Sequence, residues 1–174
     1  KKGELDAMIV ATPVEDPSLL ALPLYEEPFV VAVPANHAWR KKKAIESAEL
    51  EKEHLLLLGS GHCFRDQVLK VCPALNRSAS DGLQKTLESS SLETIRHMVA
   101  SGIGATVLPC TATRLHSSSD SLLAYRPFTR PAPSRIVSLA WRKSFPRPRA
   151  IEAVRQAILA TNLGCIEKIQ PGRR

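Results

Sequence analysis

Residues 90–109, SSLETIRHMVASGIGATVLP, constrain the fold more than any other stretch. Ser90 and Glu93 have the spacing of a capping box, in which the serine accepts from a helix amide and the glutamate reaches back. Leu92, Ile95 and Val99 then share one helical face, and Gly102 stands where a helix-ending glycine belongs. ATVLP follows at once as a short apolar strand. A helix delivered directly into a strand is the repeating step of α/β proteins. Residues 5–11 (LDAMIVA), 28–34 (PFVVAVP), 54–59 (HLLLLG) and 135–141 (RIVSLAW) also read as strands. The first is apolar almost throughout, as a parallel strand covered on both faces would be. Residues 44–50 predict a short helix. Pro148 opens a last one, with Ile151, Val154, Ile158 and Leu159 on one stripe. RPAPS, 130–134, is a connector and 117–121 a polar loop. The pattern predicts an α/β architecture with mainly parallel sheets and no internal repeat.

A chain of 174 residues, 44% hydrophobic, can bury a core as one domain or two small lobes. No apolar run approaches the ~18 residues that span a bilayer. No signal peptide precedes the first strand, and so abrupt an opening suggests a fragment of a longer protein. The net charge of +7 and pI near 9.5 raise nucleic-acid contact as a possibility. The densest run is RKKK, 40–43, with a second cluster in the terminal PGRR. The basic residues are otherwise scattered, aromatics are 5%, and no zinc-finger or RNA-binding motif accompanies them. That pattern favours a solvated surface.

Chemistry concentrates in GHCFRDQVLKVC, residues 61–72. Four cysteines in a chain this long do not make the disulfide framework of a small secreted domain, so a reducing cytosol is the expectation. Cys63 falls in the loop or first turn of a predicted helix whose apolar positions are Phe64, Val68, Leu69 and Val71. Unpaired helix amides favour an anion there, and His62 and Arg65 add donors or positive charge; each such neighbour lowers the pKa of a thiol. Asp66 opposes that trend if it faces the sulfur, and otherwise caps the helix or orients Arg65. Cys72, among Val71, Pro73 and Leu75, reads as buried and unreactive. On an intact helix nine residues separate the two by roughly 13 Å, whereas a disulfide needs Cα atoms within about 7 Å. Bonding would require the helix to unwind. Three readings stay open from the residues: two structural cysteines, a redox pair, or a metal site, the last disfavoured by the Cys-x8-Cys spacing. Cys110 and Cys165 lack basic neighbours and are expected to be inert thiols. His97 is expected to be solvated, and His37 and His54 show no partners in sequence.

GHCFRDQ followed by a cysteine at the ninth position, together with EPFVVAVPANHAW, SSLETIRHMVASGIGATVLP and RIVSLAWRKSFPR in that order, resembles the regulatory domains of the peroxide-sensing OxyR group of LysR-type transcriptional regulators. The resemblance runs from Leu5 to about residue 160. It implies two Rossmann-like lobes of the periplasmic-binding-protein type. Residues 1–28 with 133–174 would form a partial first lobe, incomplete at its N-terminus, and residues 29–132 a second lobe carrying the redox cysteines. It further implies that Cys63 is the peroxidatic cysteine, oxidised by hydrogen peroxide to a sulfenic acid, and Cys72 the resolving one. His62, Arg65, Asp66 and Arg135 would surround the peroxide. The implied protein is not an enzyme. It works in the cytoplasm without cofactor or metal, as a homodimer or tetramer joined through regulatory domains. A winged helix-turn-helix outside this chain would hold DNA, with RNA polymerase and a cellular dithiol reductant as partners and no membrane. The other expectation is a LysR-type domain that senses a small organic effector without thiol chemistry. A thiol peroxidase would use the same Cys63, but Gly59, Ser60, Gly61 and His62 stand where its Pro/Thr signature would be.

Overall fold

The structure, a computed structural model, describes residues 5–71, 87–89, 91–113 and 122–169. The chain divides into two compact units, Lys1–Glu27 with Ser134–Arg174, and Pro28–Pro133.

In the first unit, β1 (Ala7–Val10) lies antiparallel to β7 (Ser134–Arg142), with Ile9 opposite Leu139. The early half of β2 (Leu19–Pro34) is the next neighbour of β7, and β8 (Glu167–Lys168) pairs with β2 through Tyr25 and Glu26. Helix α3 (Pro148–Ala160) has its proline in the first turn, where a missing N–H costs nothing. Leu24, Leu139 and Ile151 form the core, joined by Ala7, Tyr25, Trp141, Phe145, Ile158 and Leu159. Val154, expected on the same stripe, is exposed. The buried positions of α3 centre between Ile151 and Leu159, which leaves Val154 at the rim. β1 is likewise not covered on both faces: among the described residues its one partner is β7, and Ile9 is 56% exposed.

In the second unit, the later half of β2 is flanked by β5 (Thr106–Pro109) and β6 (Leu123–Pro127). Val31 stands opposite Val107 on one side and Arg126 on the other. β3 (Leu56–Leu58) pairs in parallel with β4 (Leu87–Ser89). Helices α1 (Cys63–Val71) and α2 (Leu92–Ala100) sit against this pair. Their buried side chains Phe64, Val68, Ile95 and Val99 join Phe29, Val31, Val33, Ile45 and Leu55–Leu58 in one core.

Mixed α/β architecture is as the sequence predicts, but the expectation of mainly parallel sheets is overturned. Every β2 pairing given by strand register is antiparallel, as is β1–β7. The parallel contacts among the described residues include β3–β4 and the bridges Ile45–Phe128 and Leu55–Ala105. An apolar run does not fix the direction of the neighbouring strand, and in β1 it does not bring burial on both faces either. Three boundaries also differ. β2 begins at Leu19 rather than at Pro28; the strand carries its prolines because they need no ladder donor, and Phe29 N–H bonds Pro133 O instead at 2.8 Å. The short helix expected at 44–50 is present as a 3₁₀ helix over Ser47–Lys52, starting later because Ile45 is held in its bridge to Phe128. The N-cap of α2 is Ser91, whose N–H donates to Ser89 Oγ at 3.3 Å. The predicted cap, Ser90, lies outside the described residues, as does the 117–121 loop. Gly102 does close α2, at φ +82°, a conformation that favours glycine.

Candidate functional site

The turn that carries Cys63 leaves the end of β3. Gly59 N–H bonds Ser89 O at 2.9 Å, so the turn starts from the β3–β4 pair. Gly61 adopts φ +93°, a left-handed conformation that L side chains rarely take. Arg65 N–H then reaches His62 O at 2.9 Å, and the chain enters α1 with Cys63 as its first residue. Phe64 is turned inward at 7% exposure, edge-on to Phe29 with ring centroids 5.3 Å apart, and Val68 is 1% exposed. Those two anchors fix the helix and leave the preceding side chain outside. Cys63 is an exposed free thiol. His62 and Arg65 are half-buried beside it in sequence, and Asp66 is exposed in the same first turn. The residue before α1 and its first turn therefore carry His62, Cys63, Arg65 and Asp66: a thiol at a helix start, with His62 and Arg65 close to it along the chain.

Arg135 belongs to the other unit. It stands on β7, where its Nε donates to Glu27 Oε2 at 2.7 Å, and Glu27 is 1% exposed. Beside them Tyr25 has its pKa raised above the ordinary 10.0, first by burial and then by the Glu27 charge, with Arg135 pulling the other way. Ser134 Oγ donates to Glu26 in the same place. Glu27 is a functional-looking group that no motif marks; the signal available was a glutamate next to the apolar run PFVVAVP. Cys72 lies outside the described residues. Cys110 and Cys165, expected to be inert thiols, are instead disulfide-bonded, Cys110 at 2% exposure. Neither has a basic neighbour or a short spacing to another cysteine, so sequence carried no sign of it. Among the described residues no group of His, Cys, Asp and Glu side chains could hold a metal ion.

The LysR substrate binding domain matches residues 1–162, nearly the whole chain. The chain belongs to this family. Among curated relatives of this LysR domain, the DNA-binding transcriptional dual regulator OxyR of Escherichia coli K12 is 34% identical over 167 residues, 96% of this chain and 53% of that protein. The chain thus spans about half the length of the curated relatives it matches. Among solved structures, a reduced form of OxyR from Neisseria meningitidis is 43% identical with a TM-score of 0.87, covering 97% of this chain and 77% of that one. The reduced form of the OxyR regulatory domain from Pseudomonas aeruginosa is 51% identical with a TM-score of 0.81, covering 91% and 74%. The fold is therefore the two-lobed, periplasmic-binding-protein-like fold of OxyR regulatory domains. No helix of the described residues is long and apolar enough to cross a membrane.

Proposed function

We propose that this chain is the regulatory domain of a transcription regulator that senses hydrogen peroxide through Cys63. The observation that carries the reading is the placement of Cys63: an exposed free thiol on the first residue of α1, between His62 and Arg65. It stands in a chain whose relatives include hydrogen peroxide-inducible genes activators.

The chemistry runs in two balanced steps. The Cys63 thiolate attacks one peroxide oxygen; the S–O bond forms, the O–O bond breaks, and hydroxide leaves, stabilised by a donor, His62 or Arg65. Cys63 is now a sulfenic acid. The Cys72 thiol then attacks that sulfur, the S–O bond breaks, and water leaves as the disulfide forms. Two thiols and one peroxide become one disulfide and two waters. A cellular dithiol reverses the bond by thiol–disulfide exchange. His62, Arg65 and Asp66, at the start of α1, serve as the peroxide pocket.

In the whole protein this domain would join its copies as a dimer or tetramer. An N-terminal winged helix-turn-helix would hold DNA, and the bond state would be passed to RNA polymerase, in the cytoplasm. The domain binds and reports and does not turn over as an enzyme. The alternative, a small organic effector bound without thiol chemistry, makes a different prediction. Cys72→Ser keeps Cys63 able to oxidise but not to bridge. Brief peroxide treatment of that variant, followed by a sulfenic-acid trapping reagent, is expected to place one adduct on Cys63. Absence of any adduct there would remove the thiol reading and leave the effector reading standing.

A further inference from the structure

The charge of +7 is not used by the peroxide chemistry. The structure separates its two described concentrations. The RKKK run lies in a segment of mixed charge: residues 40–53 hold five cations (Arg40, Lys41, Lys42, Lys43, Lys52) and four carboxylates (Glu46, Glu49, Glu51, Glu53), and Glu53 is paired with His37. Lys42 is bonded to Glu49 and lies 5.9 Å over the Trp39 ring.

The second concentration is different. Arg142, Lys143, Arg147 and Arg149 stand within eight residues, with no acidic residue among them. Lys143, Arg147 and Arg149 are exposed and Arg142 is half-buried. None of the four is in an ion pair among the described residues. The first turn of α3 contains no acid, and the next one along, Glu152, is held by Arg155 and Gln156. Across the backbone bond from Lys143 N–H to Ser18 O, the nearby Asp16 already accepts from Ser18 N–H and Oγ. Arg142 ends β7, Phe145 N–H closes a turn on Arg142 O with Phe145 packed on the core, and Arg147 is the N-cap residue of α3, so the four cations follow one another from the end of β7 into the first turn of α3.

We propose that this surface of the first unit binds the phosphate backbone of duplex DNA, without reading sequence. Charge complementarity names a polyanion. Surface composition decides between nucleic acid and an acidic protein. Residues 142–150 include none of the large exposed hydrophobics of the described residues, the next along α3 being Val154. Protein interfaces centre on apolar and aromatic anchors, whereas DNA contacts are polar and strongly basic. The inference does not depend on peroxide reactivity, and its test uses none.

The experiment measures fluorescence anisotropy of this chain with a labelled random-sequence DNA duplex across a salt series. One variant carries Arg142→Gln, Lys143→Gln, Arg147→Gln and Arg149→Gln. A control with the same charge change carries Arg40→Gln, Lys41→Gln, Lys42→Gln and Lys43→Gln. Each phosphate contact contributes about −0.9 to the slope of log affinity against log salt. The first variant is expected to flatten that slope by about 3–4 and to bind at least ~10-fold more weakly at low salt, with the control changed far less. If circular dichroism shows the fourfold variant unfolded, Arg147→Gln with Arg149→Gln, both exposed, is expected to flatten the slope by about 2. Equal losses in variant and control would mean bulk charge alone and overturn the proposal. So would no measurable DNA binding at low salt. Tighter binding to poly-glutamate than to DNA would overturn it in favour of an acidic protein partner.

Discussion

Cys63 and Phe64 are adjacent in sequence and have opposite tasks. Phe64 fills the core against Phe29 and Val68 while Cys63 faces out, so the two are expected to separate cleanly on substitution. Phe64→Ala should lower stability by about 3–5 kcal/mol through the cavity it leaves. Cys63→Ser should stay within about 0.5 kcal/mol, as an exposed replacement. Urea unfolding of both variants checks this. A second residue-scale expectation concerns Glu27. Glu27→Ala leaves the Arg135 guanidinium without its main partner, and breaking a buried pair from one side costs about 3 kcal/mol or more. Replacing both partners by apolar residues should cost less than the single change, and a double-mutant comparison by thermal unfolding reads the difference. The exposed thiol was legible in sequence because helix start, basic neighbours and apolar spacing all lie within one short segment. The Glu27–Arg135 pair was not, since its members are 108 positions apart and only the pairing of β2 with β7 brings them together.

Among the elements, the helices were more legible than the strands. The apolar stripe and closing glycine of α2, and the opening proline of α3, are local signals that the structure keeps. Strand direction and the start of β2 depend on distant partners, and no local pattern records them. Two glycines show how unequal local signals can be. Gly61 has a positive φ but open space around it, so Gly61→Ala should cost about 1–2 kcal/mol of backbone strain. At Gly104 an added Cβ would stand 2.2 Å from His54 O, beside the bond from Ala105 N–H to that same oxygen. Gly104→Ala is expected to cost about 3 kcal/mol, the upper part of the range for overpacking. The sheet of the first unit also carries a pH signature. The raised pKa of Tyr25 means that its contribution is complete below pH 10.0 and lost as pH rises through the folded-state value. Phenolate absorbance should show Tyr25 ionising later than a free tyrosine, and Tyr25→Phe should soften the alkaline loss of stability.

At the scale of the whole molecule, the exposed thiol of Cys63 belongs to Pro28–Pro133 and the basic run 142–149 to Lys1–Glu27 with Ser134–Arg174. If oxidation draws Cys63 out of its helix, the apolar side chains Phe64, Val68, Leu69 and Val71 lose their present burial and must find another. Backbone hydrogen exchange over residues 64–71 is expected to rise on oxidation of the native chain and to stay unchanged in Cys72→Ser. A bond between Cys63 and Cys72 is read out by mass spectrometry of the chain before and after brief peroxide treatment. Since Cys110 and Cys165 are already disulfide-bonded, the bond must be located by peptide mapping as well as by intact mass. Treatment is expected to remove one pair of hydrogen atoms, mapped to a new bond between Cys63 and Cys72. An unchanged mass, or a Cys63 that gains oxygen and never bridges to Cys72, would contradict it.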